Sequence, residues 1–335
     1  MNIQRRLVTL ADVAREAGVG ESTVSRVLRN HGSFSARTAE SVAEAVARLG
    51  YVPNRLAGSL AGNAASAGSQ LVGIVIPSLA NIVFPDLLRG LTGALDRTSF
   101  QSVIGVSDYD PDREEALVGA LLSWRPAGLV VTGLEHNPGT VARLRAAGIR
   151  IVEMIDTDGP GLDIVVGFSN RAVGEASARH LLARGYRRLG YVGHDIFRDL
   201  RAGKRLSGFE AGLNASGHGL IDREIVPEPS SATAGRAGLD RLLDRTRDLD
   251  AVYFSNDDMA LGGFFCCLAR GWSIPGRLAL FGCNGLDITA AMPQPLATIR
   301  TPRLEIGAVA AERLTAGGPA ETIDLGFELV EGATA

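Results

Sequence analysis

The sequence predicts a small all-α helix-turn-helix head followed by a two-lobed α/β body made of two doubly wound parallel sheets. Three observations predict it. Residues 9–49 carry three short amphipathic periodicities separated by helix-stop signals. From Leu71 onward, apolar runs of strand length alternate with amphipathic stretches. That alternation occurs as two successive series, one per lobe.

The first helix is read from Leu10, Val13, Ala14 and Ala17, spaced i, i+3, i+4, i+7 behind Thr9 as N-cap. Gly18 stops it, because glycine takes the left-handed cap conformation cheaply. In Val19–Leu28, Val24, Val27 and Leu28 share one face, while Glu21, Ser22, Ser25 and Arg26 point away and can bond to bases or phosphates. Alone, this stretch reads better as an ordinary amphipathic surface helix. Joined to the first helix through Gly18-Val19, it makes a helix-turn-helix unit. A third helix runs from Ser35 as N-cap to Leu49, with Val42, Ala45, Val46 and Leu49 on one face. Three helices on one core leave the second free to dock.

Tyr51-Val52-Pro53 is extended, since proline disfavours helix in the residue before it. Asn54 then caps a short helix, Arg55 to Ala61, which is too short to be stable alone. A small-residue linker follows at 62–69. The expected divisions are residues 1–50 for the head, 51–70 for hinge helix and linker, and 71–335 for the body. Strands are read at Leu71–Ile76, Gln101–Val106, Gly128–Thr132 and Arg150–Ile155. Helices fall at Phe84–Thr98, Asp112–Ser123 and Gly139–Ala147. A second series opens at Leu162–Val166 and continues at Leu189–Val192, Ala251–Phe254 and Leu278–Phe281. Its helices are Arg171–Arg184, Arg205–Ser216, Ala234–Asp244 and Met259–Arg270, and a last strand is read near Ile323–Leu329. In such sheets ligands bind beyond the carboxyl ends of the strands.

Composition narrows the function. The 335 residues are 46% hydrophobic and 21% charged, enough for two or three domains. No run approaches the roughly 18 apolar residues of a membrane span. No long apolar segment lies behind Met1-Asn2-Ile3-Gln4-Arg5-Arg6, so a cytoplasmic protein is expected. Three cysteines without framework spacing argue against structural disulfides, and Cys266-Cys267 read as buried small apolar residues. Residues 1–62 hold eight arginines against five carboxylates, giving +3, while the remainder carries −6. A cationic head on an acidic body suits a nucleic-acid reader. No Gly-x-Gly-x-x-Gly follows a strand, and there is no Walker loop or spaced His/Cys set. A kinase or dehydrogenase therefore has no support, and no cofactor or metal is expected. His31, His136, His180, His194 and His218 are scattered. Asp257-Asp258 resembles a catalytic carboxylate pair but reads as a helix N-terminus, where negative charge is favourable.

Val8–Val19, Thr23–Leu28 and Gly50–Arg55, with Ser255–Ala260 and Gly282 in the body, resemble the LacI/GalR family of transcriptional regulators over essentially the whole chain. Pro77–Phe84, Leu122-Ser123-Trp124, Leu162–Asn170 and Asp324–Phe327 resemble the gluconate-type, sugar-acid repressors within it. The resemblance implies a periplasmic-binding-protein-like body, a homodimer and a palindromic double-stranded operator. It implies base reading by Glu21, Ser22 and Arg26. Arg26 also has a chemical case, because a guanidinium bonds bidentately to guanine. Glu21 can accept from a cytosine amino group, and Thr23 and Ser25 suit phosphates. Gly20 stands where the family usually has serine. Asn54, Arg55 and Leu60 belong to the implied minor-groove element. There Leu60 either wedges a base step open or packs on its partner helix.

For the cleft, the resemblance implies Ser78, Asn81 and Phe84 after the first strand, Asp156 and Phe168 at the crossover, and Arg201, Arg205, Asn256 and Asn284 from the second lobe. Arg198 is a third arginine in the same loop. Asp156 and Asn256 suit polyol hydroxyls, and an arginine suits a carboxylate. Asn284 stands where the family commonly has aspartate, which removes a charge that would repel an anion. The reading is a repressor induced by gluconate or a related hexonate. The alternatives are a neutral sugar, a co-repressor, or a solute-binding protein with the same body. No leucine heptads follow the last strand, so a dimer without a tetramerising tail is expected.

Overall fold

The computed structural model describes residues 8–28, 31–51 and 69–335. The chain divides by its contacts into two units, Met1–Gly68 and Ser69–Ala335.

The first unit holds α1 (Leu10–Ala17), α2 (Glu21–Leu28) and α3 (Ala36–Leu49). Thr9 caps α1 in a reciprocal box. Its Oγ1 accepts from the Asp12 N–H at 3.3 Å, and its own N–H donates to the Asp12 carboxylate at 2.9 Å. Gly18 ends α1 with φ +67°, and a Cβ there would meet nothing within 4 Å. Backbone conformation, not space, therefore asks for glycine at this turn. Ser35 caps α3 as expected. Val13, Ala14, Val24, Val42 and Ala45 form the buried core of the three helices. The hinge helix expected around Asn54, Arg55 and Leu60 lies outside the described residues.

The second unit contains two parallel sheets. The first comprises β1 (Leu71–Ile76), β2 (Gln101–Val106), β3 (Gly128–Thr132), β4 (Arg150–Met154), β5 (Ile164–Gly167) and β11 (Glu321–Asp324), in the order β11-β5-β4-β3-β1-β2. The second comprises β6 (Leu189–His194), β7 (Asp222–Val226), β8 (Ala251–Phe254) and β9 (Ala279–Phe281), in the order β7-β6-β8-β9. β10 (Thr298–Arg300) and β12 (Glu328–Val330) form an antiparallel ribbon. Central strands such as β3 and β6 are buried along their full length, as strands covered on both faces must be. The covering helices are α4 (Val83–Leu95), α5 (Pro111–Ser123), α6 (Pro138–Ala146), α7 (Asn170–Ala183), α8 (Leu200–Ala215), α9 (Ala232–Arg245), α10 (Asp257–Ala269), the short α11 (Asp287–Ala290) and α12 (Arg303–Ala316). One buried apolar cluster is continuous from Val72 and Val166 of the first sheet to Tyr191 and Phe281 of the second.

Several expectations are corrected. Leu162–Val166 does not open the second lobe. Its strand, β5, pairs parallel with β4 in the first sheet, with Val152 opposite Ile164. The connection between them is an irregular loop without a helix. It is fastened where the Ile151 N–H donates to Asp163 at 3.0 Å and the Leu162 N–H donates to Glu153. The single strand read at Ile323–Leu329 is two strands, because Gly326 turns the chain at φ +65° and its N–H bonds to Asp324 at 2.8 Å. The helix expected from Arg205 begins at Leu200. β7, β10 and α12 were not anticipated.

Two features shape the ground on which the site is built. α7 and α8 cross closely. A Cβ at Gly174 would lie 1.9 Å from the Arg205 carbonyl oxygen, and one at Gly208 would lie 2.1 Å from that of Arg171. This seats α8, which carries the cleft's cations. In the first lobe, His136 is buried between Glu114 at 2.6 Å and Glu153 at 3.5 Å. Burial opposes its protonation, but the two carboxylates prevail and push the imidazole up to about 9. Cys266, Cys267 and Cys283 are free and buried. Among the described residues, no helix is long and apolar enough to cross a membrane.

Candidate functional site

On α2, Glu21, Ser22 and Arg26 are exposed, Thr23 and Ser25 are half-buried, and Val24 is fixed in the core. The Arg26 side chain lies back along its own helix. Its Nε donates to the Ser22 carbonyl and an Nη to Thr23 Oγ1, each at 3.4 Å. The helix opens with the N–H groups of Thr23 and Val24 on the Gly20 carbonyl, so Gly20 serves as a cap through its backbone. The face expected to meet DNA is thus presented together, with the arginine one turn from the helix start.

In the body, an inner pocket of about 20 Å³ lies between the lobes, beyond the carboxyl ends of strands of both sheets. Asn81, Val83 and Phe84 line it at the start of α4, with Ile155 and Phe168 following β4 and β5. Asp199, Arg201 and Arg205 come from the start of α8, and Asn256, Asn284 and Thr301 from the ends of the second lobe's strands. Of the residues expected here, the structure brings together Asn81, Phe84, Phe168, Arg201, Arg205, Asn256 and Asn284.

The two arginines are held differently. Arg201 pairs with Asp199 at 3.0 Å, and Asp199 also lies 3.2 Å from His194 Nε2. Burial disfavours the Asp199 anion, but Arg201 and His194 overcome it and hold the carboxyl far below the usual range. Arg205 is buried among neutral acceptors. One Nη donates to Asn170 Oδ1 at 2.9 Å, the other to the Ser255 carbonyl and Asn256 Oδ1 at 3.3 Å each, and Nε has no partner. Asn284 Nδ2 donates to Asn256 Oδ1 at 3.1 Å, and Asn256 Nδ2 donates to Ser230 Oγ at 2.9 Å. The amide side chains are therefore aligned by one another.

Ser78 and Asp156 do not line this pocket. Ser78 Oγ accepts from the N–H groups of Ala80 and Asn81, at 3.1 and 3.2 Å, and shapes the loop after β1. Asp156 is fully buried and is engaged by Lys204 Nζ at 2.5 Å, which also meets Glu135 at 2.5 Å. That lysine stands on α8 and both carboxylates follow strands of the first sheet, so the group ties one lobe to the other. Arg198 is exposed and reaches the Asp108 carbonyl at 3.4 Å. Asp257 does begin a helix, but it is fully buried and accepts from Thr298 Oγ1 at 2.6 Å and the Leu286 N–H at 2.8 Å. Burial pushes its carboxyl up to about 6.

Sequence reasoning missed Asp199, Asn170 and Lys204. Asn170 lay inside a quoted motif, and the alternating charges of Arg198-Asp199-Leu200-Arg201 were the available signal for Asp199. A second, outer cavity of about 380 Å³ shares Asn81 and Asp199 with the inner pocket. It is walled by the loops after β1, β2, β6 and β7 and includes Ser78, Tyr109 and His194. Among the described residues, no group of three or more His, Cys, Asp or Glu side chains is arranged to hold a metal ion.

Comparison with known proteins agrees with both halves of this arrangement. Residues 9–54 match the family of bacterial regulatory proteins of the lacI family, and residues 69–322 match the periplasmic binding proteins and sugar binding domain of the LacI family. The HTH-type transcriptional regulator GntR of Pseudomonas aeruginosa is 40% identical over 329 residues, spanning 96% of this chain and 94% of the relative. A LacI-family regulator structure from Silicibacter pomeroyi has a TM-score of 0.91 at 42% identity, covering 98% of this chain and 99% of that one. The lac repressor dimer bound to operator and the anti-inducer ONPF has a TM-score of 0.80 at 25% identity, covering 98% and 99%. The chain belongs to the LacI family of DNA-binding transcriptional regulators.

Proposed function

We propose that this regulator is a homodimeric repressor of a palindromic operator, induced by gluconate or a related hexonate held between the lobes of its body. Residues 1–50 would read DNA, 51–70 would form hinge helix and linker, and 71–335 would bind effector and partner. Glu21, Ser22 and Arg26 are the base readers, with Thr23 and Ser25 on phosphates and Asn54, Arg55 and Leu60 in the hinge. A two-fold dimer needs two matched half-sites. Phe265 and Leu268, 48% and 55% exposed on α10, support a self-complementary apolar contact.

The observation that carries the effector class is Arg205. This buried guanidinium has only neutral hydrogen-bond partners, and the nearby Asp199 carboxylate, which helps hold its charge, is itself bonded to Arg201 and His194. A ligand carboxylate supplies a charge in direct contact through the unpartnered Nε. Arg201 is already neutralised by Asp199, and the neutral Asn284 adds no repulsion. A neutral sugar offers Arg205 no carboxylate in hydrogen-bond contact.

Ligand closure that favours one lobe arrangement changes operator affinity by a coupling free energy of about 1–3 kcal/mol, and the operator changes ligand affinity by the same factor. The experiment is operator-fragment binding by the purified protein at fixed salt, with and without gluconate, because phosphate contacts make the affinity salt-dependent. Weaker binding with gluconate supports the inducer reading. Tighter binding makes the acid a co-repressor, and no effect removes gluconate.

A further inference from the structure

Building on the sugar-acid reading, we propose that the effector site continues into the outer cavity, with Tyr109 as a ligand-contacting residue that selects for open-chain length. An aldonate binds with its carboxylate on Arg205 and its hydroxylated tail against Tyr109.

Volume makes the first case. The inner pocket, at about 20 Å³, has room for one water. A hexonate therefore has to draw on further space, and the adjoining 380 Å³ supplies a volume typical of small-molecule sites. The partition between the two is made of side chains from both lobes. Asn81 and Asp199 face both spaces. Asn81 Nδ2 donates to Tyr109 Oη at 2.9 Å, and the Arg201 guanidinium carbon lies 6.0 Å from the centre of the Tyr109 ring. Moving these few groups joins the two volumes without unfolding an element.

The backbone makes the second case. Asp108 and Tyr109 adopt φ of +54° and +58° in succession. Bulky residues rarely take this left-handed conformation. Such strain, worth about 1–3 kcal/mol per residue, persists where the surroundings hold a side chain in place for use. The conformation sets the Tyr109 ring between Asn81 and Arg201.

Chemistry makes the third. Burial, aided by Asp199, raises the Tyr109 phenol further above its ordinary range, so it stays neutral. Because its oxygen accepts from Asn81, its O–H proton is left to donate. The charges are also sorted along the cleft. Arg201 and Arg205 stand at the inner end and Asp199 faces both spaces, while Asp108, Asp195 and Glu228 outnumber the single arginine, Arg198, around the outer cavity, with Ser78 and Ser230 beside them. Carboxylates and hydroxyls accept from and donate to a polyol tail, and they repel a second anion. The acid end therefore points inward.

The test is calorimetric titration of wild-type and Tyr109→Phe protein with gluconate and with erythronate, the four-carbon aldonate too short to span both spaces. The expected result is a roughly tenfold loss of gluconate affinity in the variant, the scale of one hydrogen bond, with erythronate affinity within about twofold of wild type. Thermal melts of both proteins confirm that folding is unchanged. Equal losses for the two acids would make Tyr109 a support for Asn81 only, and an unaltered gluconate affinity would place the tail elsewhere. Either result overturns the extension and leaves the sugar-acid reading standing. Wild-type protein that binds neither acid overturns both.

Discussion

Raising the pH should selectively unload His136. Its side chain is fully buried, Glu153 is 1% exposed and Glu114 14%, so the imidazole is shielded from solvent. The folded imidazole titrates at about 9 against an ordinary value of 6.5. Between those values the folded chain holds a proton that the unfolded chain has released. The resulting stability is fully present below about pH 6.5 and is lost as pH rises through about 9. At ~1.4 kcal/mol per pKa unit, the full contribution is about 3 kcal/mol, of which about 2 kcal/mol disappears between pH 7 and 9. The assay is urea unfolding of the wild type and His136→Gln across that interval. Both tryptophans, Trp124 and Trp272, lie in the body, so their fluorescence follows its unfolding and is silent to the head. The stability gap between the two proteins should narrow by about 2 kcal/mol from pH 7 to 9. Parallel curves would refute a charged imidazole between the two glutamates.

Other perturbations separate the remaining assignments. Arg205→Ala should weaken gluconate by about 2–5 kcal/mol more than sorbitol, its uncharged alcohol analogue, in calorimetry; equal losses would remove the carboxylate contact. Arg26→Ala should lose about 1–3 kcal/mol of discrimination between operator and mismatched DNA while leaving ligand affinity unchanged, and retained base preference would show that it contacts phosphate alone. Lys204→Met strands the buried Asp156 carboxylate and should destabilise the body by about 3–5 kcal/mol; adding Asp156→Asn should recover part of that loss, and additive losses would mean the pair is not coupled. Gly174→Ala drives a methyl group into the Arg205 backbone and should cost about 1–3 kcal/mol in a urea titration, together with some ligand affinity.

The head was legible because its signals are local. Thr9, Gly18 and Ser35 announce helix ends within three residues of the groups they satisfy. The body's apolar strands were legible from length alone. Which sheet β5 joins was not, because an apolar run carries no record of its neighbour, and a loop without a helix gave no sign of a parallel return. β7 was hidden by its composition: Asp222-Arg223-Glu224 belongs to an edge strand, whose one open side tolerates charge. In the pocket, most of the residues that motif could mark came together, Ser78 and Asp156 excepted. Lys204 could not be marked, since its role comes from partners on other elements, and Asp199 was signalled only by the charges around it. The pairing of Asp156 was hidden for the same reason: a carboxylate at a strand end looks identical in sequence whether or not Lys204 meets it.

The placement of β11 bears on how the chain is made. Its partner in the first sheet is β5, with Glu321 opposite Ile164, and residues 168–320 in between carry the second lobe and α12, which packs back on the first sheet. At a ribosomal pace of ~5–20 residues per second, the first sheet waits about 10–30 s with one edge unpaired while the second lobe is synthesised. During that interval β5 presents open backbone groups to the surroundings. The nascent first lobe is therefore the segment most exposed to mispairing, and any slowing of translation between the two strands lengthens the time it needs protection.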